Sequence, residues 1–193
     1  MDIHPGTREP READLAATRR RTLGWMLGAG AALVLPRLAR AAYEVRTWPA
    51  SQPAPGLALS DLDSKPWRLS DLAGRAVVLN FWATWCDPCR AEMPSLQQLA
   101  ATHRSDGLAV LAVNYKESVP VIRRFLQTLP FELPVLLDSD GEATAAWTPR
   151  VFPTTVLIGP GGVPRSLVVG EMDWMGAAAR ELIEPLLARA RRT

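Results

Sequence analysis

Two cysteines stand two residues apart in Trp85-Cys86-Asp87-Pro88-Cys89, and the chain has no others. Across the first turn of a helix this spacing brings the sulfurs close enough to pass between dithiol and disulfide with little backbone movement. At a strand-to-helix junction the Cys86 sulfur would lie near unpaired backbone N–H groups, which favour thiolate and make Cys86 the attacking group. Cys89, one turn further in, would be shielded and act as the resolving thiol. Half a zinc site and an inert buried pair are the alternatives. The first lacks a second ligand pair, since only His4 and His103 accompany the cysteines. The second suits poorly a chain bound for an oxidising compartment, where paired thiols rarely stay idle.

Two carboxylates flank the pair. Asp87 sits between the cysteines beside Pro88, and these two residues are the candidates for tuning the couple. Glu92 follows Cys89 by three residues, about one helical turn, and so faces the same side. A carboxylate near a thiolate disfavours it by repulsion and opposes the helix-terminus effect. For a two-electron couple roughly 30 mV corresponds to about 1.4 kcal/mol, so a modest electrostatic contribution shifts the equilibrium toward a reductant. The alternative for Glu92 is a solvated first-turn glutamate favoured by the helix dipole.

Several elements must position these groups. Ala76–Ala83 is apolar except for Asn80, as a strand covered on both faces should be, and it leads directly into the cysteines. The following helix is expected from Asp87–Cys89 to about Thr102, with Met93, Leu96 and Ala100 at helical spacing and a kink at Pro94. Leu108–Val113 reads as a second buried strand. Ser118 would cap a helix carrying Ile122, Phe125, Leu126 and Leu129. A short strand at Leu133–Leu137, a short helix at Gly141–Trp147, strands at Thr154–Ile158 and Arg165–Val169 joined by a glycine-rich turn, and a helix at about Met175–Arg191 complete the order. Leu57–Leu59 and Pro66–Leu69 form a hairpin-like pattern. Alternating strands and helices predict one α/β domain over 57–193.

The first 41 residues have a different character. Arg19-Arg20-Arg21 precede an apolar run from Leu23 to Leu35, and Ala39-Arg40-Ala41 follows with small residues, the order of a secretory signal. The run is shorter than the ~20 apolar residues of a membrane span. The paired arginines and modest hydrophobicity are similar to a twin-arginine (Tat) signal. Residues 42–56, with Pro49, Pro53 and Pro55, read as a semi-extended, proline-rich tether. Of the 193 residues 48% are hydrophobic and 22% charged, proportions of an ordinary globular domain that exclude disorder and a disulfide-dense miniprotein. The formal charge of +2 comes mostly from the arginines of the first 41 residues, so the rest lacks the basic footprint of nucleic-acid binding. The C-terminal Arg189, Arg191 and Arg192 read as complements to a helix dipole.

Leu69-Ser70-Asp71-Leu72-Ala73-Gly74-Arg75, the run Asn80-Phe81-Trp82-Ala83-Thr84-Trp85, the C-x-x-C, Glu92-Met93-Pro94 and Phe152-Pro153-Thr154-Thr155 occur in one order. Together they resemble the TlpA/ResA-like branch of the thioredoxin-fold thiol–disulfide oxidoreductases, from about Leu57 to the last helix. The resemblance implies a thioredoxin fold, with a four-stranded central mixed sheet flanked by helices, an N-terminal hairpin and a strand–helix insert at about 130–148. It implies a cis Pro153 opposite the cysteines, against a trans proline opening the next strand, which is the commoner isomer. Phe152 and Pro153 would then present backbone polar groups to an extended client segment. Glu92 matches the family's acidic position, which supports proton transfer at the buried cysteine. Asn80 departs from cytosolic thioredoxin, which has a buried aspartate there, so a proton relay must use Glu92 or water. Trp85 is expected to rim the site and Trp82 to pack in the core. Val151, Pro149 and Gly159 depart from the family pattern and bear on which client is selected.

The expected activity is that of an exported, periplasmic or otherwise extracytoplasmic, protein disulfide reductase, with a membrane-anchored form the weaker alternative. Cys86 attacks a client disulfide and Cys89 resolves the mixed disulfide. Client proteins with disulfides or thiols and a membrane thiol electron donor are the implied partners, with clients in cytochrome c maturation or copper-site assembly. The chain is expected to act as a monomer without metal or organic cofactor. A disulfide-forming oxidase would need a strongly acidic Cys86, which Asp87 disfavours. A peroxidase-like redoxin lacks Pro-x-x-x-Thr-x-x-Cys around Cys86. A copper metallochaperone would call on the two thiolates with Met93 as the nearest soft neighbour, although Met93 also fits a core position.

Overall fold

The computed structural model describes residues 43–190. The leader read from residues 1–41, Arg191 and Arg192 lie outside them. Chain order is β1 (Tyr43–Thr47), β2 (Ala58–Ser60), β3 (Pro66–Arg68), a single 3-10 turn at Leu69–Leu72, β4 (Ala76–Trp82), α1 (Asp87–Thr102), β5 (Leu108–Tyr115), α2 (Val119–Thr128), β6 (Val135–Asp138), α3 (Glu142–Trp147), β7 (Thr154–Ile158), β8 (Pro164–Gly170) and α4 (Ala177–Ala190).

The main sheet has the order β1-β8-β7-β4-β5-β6. β4, β5 and β6 run parallel, and β7, β8 and β1 join antiparallel, so the sheet is mixed. All seven residues of β4 are buried because both faces are covered. Alternation along the strand divides them. Ala76, Val78 and Trp82 face a core shared with Leu96 of α1, Ile122 of α2 and Ile183 of α4. Val77, Leu79 and Phe81 face a second core closed by Trp147 of α3 and by Leu57, with Leu59 and Trp67 of the β2–β3 hairpin packed against it.

The four central strands implied by the resemblance are β8-β7-β4-β5, and β6 of the expected insert extends one edge; β1, at the other edge, is the strand that was not expected. The proline-rich tether expected over 42–56 needs correction, because its start is part of the domain. Tyr43 to Thr47 pair with Gly170 to Ser166 of β8, and the next residue, Trp48, is buried 5.7 Å from Trp147 between ring centroids. Four of the five β1 residues are exposed, so this edge strand is held by its backbone ladder and leaves no apolar run in the sequence. Elsewhere the elements fall within a few residues of expectation, and α1 continues through Pro94.

The cysteines follow from this topology. β4 delivers the chain to the carboxyl end of the parallel strands, where Ala83–Trp85 turn it into the amino end of α1.

Candidate active site

Cys86 is the N-cap of α1, with extended backbone, and its sulfur accepts the Cys89 backbone N–H at 3.3 Å. This is the place a serine or aspartate side chain takes in an ordinary helix cap. Pro88 sits in the first turn, where its missing N–H sacrifices no helical bond, and it narrows the free donors at that end. The two sulfurs form a disulfide, with Cα atoms 5.3 Å apart. Cys86 is 5% exposed and Cys89 fully buried. The more accessible sulfur is therefore also the one that accepts a helix-terminal N–H, the arrangement that favours a thiolate at Cys86.

Glu92 lies inside, 2% exposed, among apolar groups that include Met93 and Trp174 of the adjoining core. Three donors reach its carboxylate. Asn80 Nδ2 of β4 lies 2.7 Å from Oε1, and the Met172 amide at 3.1 Å and Trp174 Nε1 at 3.2 Å converge on Oε2. Burial pushes the carboxyl up to about 7, against these three bonds, which favour the ionised form, while Glu171 adds a smaller upward push. The solvated first-turn alternative for Glu92 is set aside by this burial.

Asp87 is placed differently. Its side chain is 87% exposed and its Oδ1 lies 3.0 Å from Arg90 Nη1. Solvent and the guanidinium both weaken its field, so the repulsion expected at Cys86 is partly offset by Arg90. Pro88 is exposed on the same turn.

Trp85 is 62% exposed and meets the Phe152 ring edge-on, with centroids 5.8 Å apart. Tyr115, at the end of β5, has its ring centroid 5.2 Å from that of Phe152. The Phe152–Pro153 peptide is cis. Pro153 is buried, and its carbonyl already accepts the Gly170 amide at 2.9 Å, so the backbone contact expected of it toward a client is engaged within the sheet. Val151, beside Phe152, is 48% exposed. Trp82 is fully buried, against Phe125 and Phe131. Met93 is also fully buried within the core, where it packs.

One acidic residue escaped the sequence reading. Glu117, just past β5, accepts from the Thr84 amide (2.7 Å) and hydroxyl (2.5 Å) and from Asn114 Nδ2 (2.8 Å). It thus holds the turn that carries Trp85 and Cys86. Its signal was positional: in parallel sheets, polar residues just beyond the carboxyl ends of neighbouring strands converge on one site. The Met172 and Trp174 donors to Glu92 carried no such signal.

The profile of the AhpC/TSA family matches residues 50–165. The chain is 39% identical to the thiol-disulfide oxidoreductase ResA of Bacillus subtilis, over 62% of this chain and 66% of that protein, just under two thirds of its length. A crystal structure of a thiol:disulfide interchange protein of the thioredoxin family from Chlorobium tepidum superposes with a TM-score of 0.62 at 27% identity, covering 70% of this chain and 96% of that one. An exposed lipoprotein thioredoxin from Streptococcus pneumoniae is similar at 28% identity with a TM-score of 0.59, covering 69% and 98%.

Proposed function

The chain belongs to the AhpC/TSA family, among its thioredoxin-fold thiol–disulfide oxidoreductases, and from that membership we propose that it works outside the cytoplasm, mainly as a reductant of client protein disulfides. The observation that carries this reading is the pairing of an N-cap cysteine with a buried cysteine one turn on, backed by a buried glutamate.

In the reduced protein the Cys86 thiolate attacks one sulfur of a client disulfide, joining the two proteins through a mixed disulfide and releasing the client's other sulfur as thiolate. Glu92 accepts the proton of the Cys89 thiol. The Cys89 thiolate then attacks Cys86, expelling the client's second sulfur as thiolate and closing the Cys86–Cys89 disulfide. Two electrons have passed to the client, and a membrane thiol donor restores the dithiol.

Trp85 and Phe152 form the aromatic rim against which an extended client segment lies. With the Pro153 carbonyl tied to Gly170, Phe152 is the backbone position left to pair with that segment. Clients are proteins whose cysteines must be kept reduced for haem attachment or copper insertion. The chain acts as a monomer, and the cycle needs no metal or organic cofactor. Export by a Tat-like signal in residues 1–41 places it in the periplasm or an equivalent compartment. No helix among the described residues is long and apolar enough to cross a membrane.

The test is turnover of a disulfide-bonded protein by the reduced, leaderless protein, with Cys89→Ser and Cys86→Ser as partners. The parent reduces the substrate, Cys89→Ser accumulates a mixed disulfide that a reducing agent releases, and Cys86→Ser does neither. A Cys86→Ser variant that turned over like the parent would overturn the reading.

A further inference from the structure

The two oxygens of Glu92 are served unequally. Oε2 already accepts from the Met172 amide and from Trp174 Nε1, both fixed donors that cannot reverse. A proton on Glu92 therefore belongs on Oε1, which faces Asn80. Asn80 is fully buried in β4, and its Nδ2 donates to Glu92 Oε1 at 2.7 Å and to Thr155 Oγ1, directly opposite on β7, at 2.9 Å. Its Oδ1 has no hydrogen-bond partner among the described residues. A buried acceptor left unmatched beside a titrating carboxyl calls for a reason.

We infer that Asn80 is a positioning residue for the reaction, a reversible carboxamide that turns over when Glu92 takes up its proton and so keeps the same two hydrogen bonds in either state. With Glu92 ionised, Nδ2 donates to Oε1 and to Thr155. With Glu92 protonated, a half-turn about the terminal bond puts Oδ1 in the place of Nδ2. There it accepts the proton-bearing Oε1 and the Thr155 hydroxyl, which can donate as readily as accept. Both bonds survive with their direction reversed, and the amide nitrogen takes over the unpartnered place that Oδ1 holds in the other state. An aspartate at this position could not do this without sharing a proton with Glu92, since two carboxyls in contact cannot both ionise. Among charged groups Glu171 acts on Glu92, and Cys89, on the same helix, supplies a second titrating group only once the disulfide is reduced. The inference rests on the proposed proton exchange between Glu92 and Cys89.

The test uses the oxidised protein, so its outcome is separate from any assay of disulfide reduction. The Glu92 carboxyl carbon and the Asn80 side-chain amide are followed by NMR across the Glu92 titration. The Asn80 amide signals move with the same midpoint as the carboxyl, and Glu92→Gln, whose amide donates as the protonated acid does, holds them at their low-pH positions. Asn80→Leu raises the Glu92 midpoint by about one unit, a tenfold change in proton affinity, because the ionised form loses its charge-assisted bond. Asn80→Asp splits the titration into two steps. Asn80 signals that stay still through the Glu92 transition, or that stay at their high-pH positions in Glu92→Gln, would overturn the inference.

Discussion

Glu117 holds Thr84 by both its amide and its hydroxyl, joining the end of β5 to the turn that presents Cys86. Glu117→Ala removes the acceptor and strands the partly buried Thr84 amide, a loss of roughly 1–3 kcal/mol in stability. Glu117→Gln keeps one carbonyl acceptor and loses less. Denaturant unfolding measures the ranking, and amide exchange at Trp85 and Cys86 speeds up in the alanine variant alone. Equal stability of alanine variant and parent would remove Glu117 from the account.

Glu92 makes stability depend on pH. Its folded value near 7 lies above its ordinary 4.5, so between these values the folded protein keeps a proton that the unfolded chain has released. The stabilisation is fully present below the ordinary value and is lost as pH rises through about 7. The shift corresponds to roughly 3 kcal/mol. Unfolding of the oxidised protein at about pH 5 and about pH 8 should show this fall, and Glu92→Gln should flatten it. A parent protein equally stable at both would place Glu92 near its ordinary value.

Trp85 and Trp82, three residues apart, have opposite fates. Trp85→Ala leaves stability within about 0.5 kcal/mol, since the ring is largely in solvent, yet it weakens client turnover chiefly through KM. Trp82→Ala empties a fully buried site against Phe125 and Phe131 and costs about 3–5 kcal/mol. Thermal unfolding and steady-state kinetics separate the two.

What was legible in the sequence had a periodic or chemical cause. The apolar run of β4 and the cysteine spacing placed the strand, the helix start and the disulfide, because each is a local property of consecutive residues. β1 was hidden because an exposed edge strand needs only backbone partners, and Tyr43-Glu44-Val45-Arg46-Thr47 has no buried face to pattern. Glu92 was legible as a residue near the cysteines, but its environment was not, since Asn80, Met172 and Trp174 reach it from β4 and from the segment after β8. Arg90 opposite Asp87 lies within a single helical turn, a pairing that the i, i+3 rule makes legible from sequence.

The most direct test of the account is the equilibrium potential of the Cys86–Cys89 couple, measured at neutral pH against a dithiothreitol or glutathione buffer. A reductant biased by the buried Glu92 should lie close to thioredoxin, at about −270 mV, whereas a value near −120 mV would mark a disulfide-forming oxidase and contradict the proposed direction of electron flow.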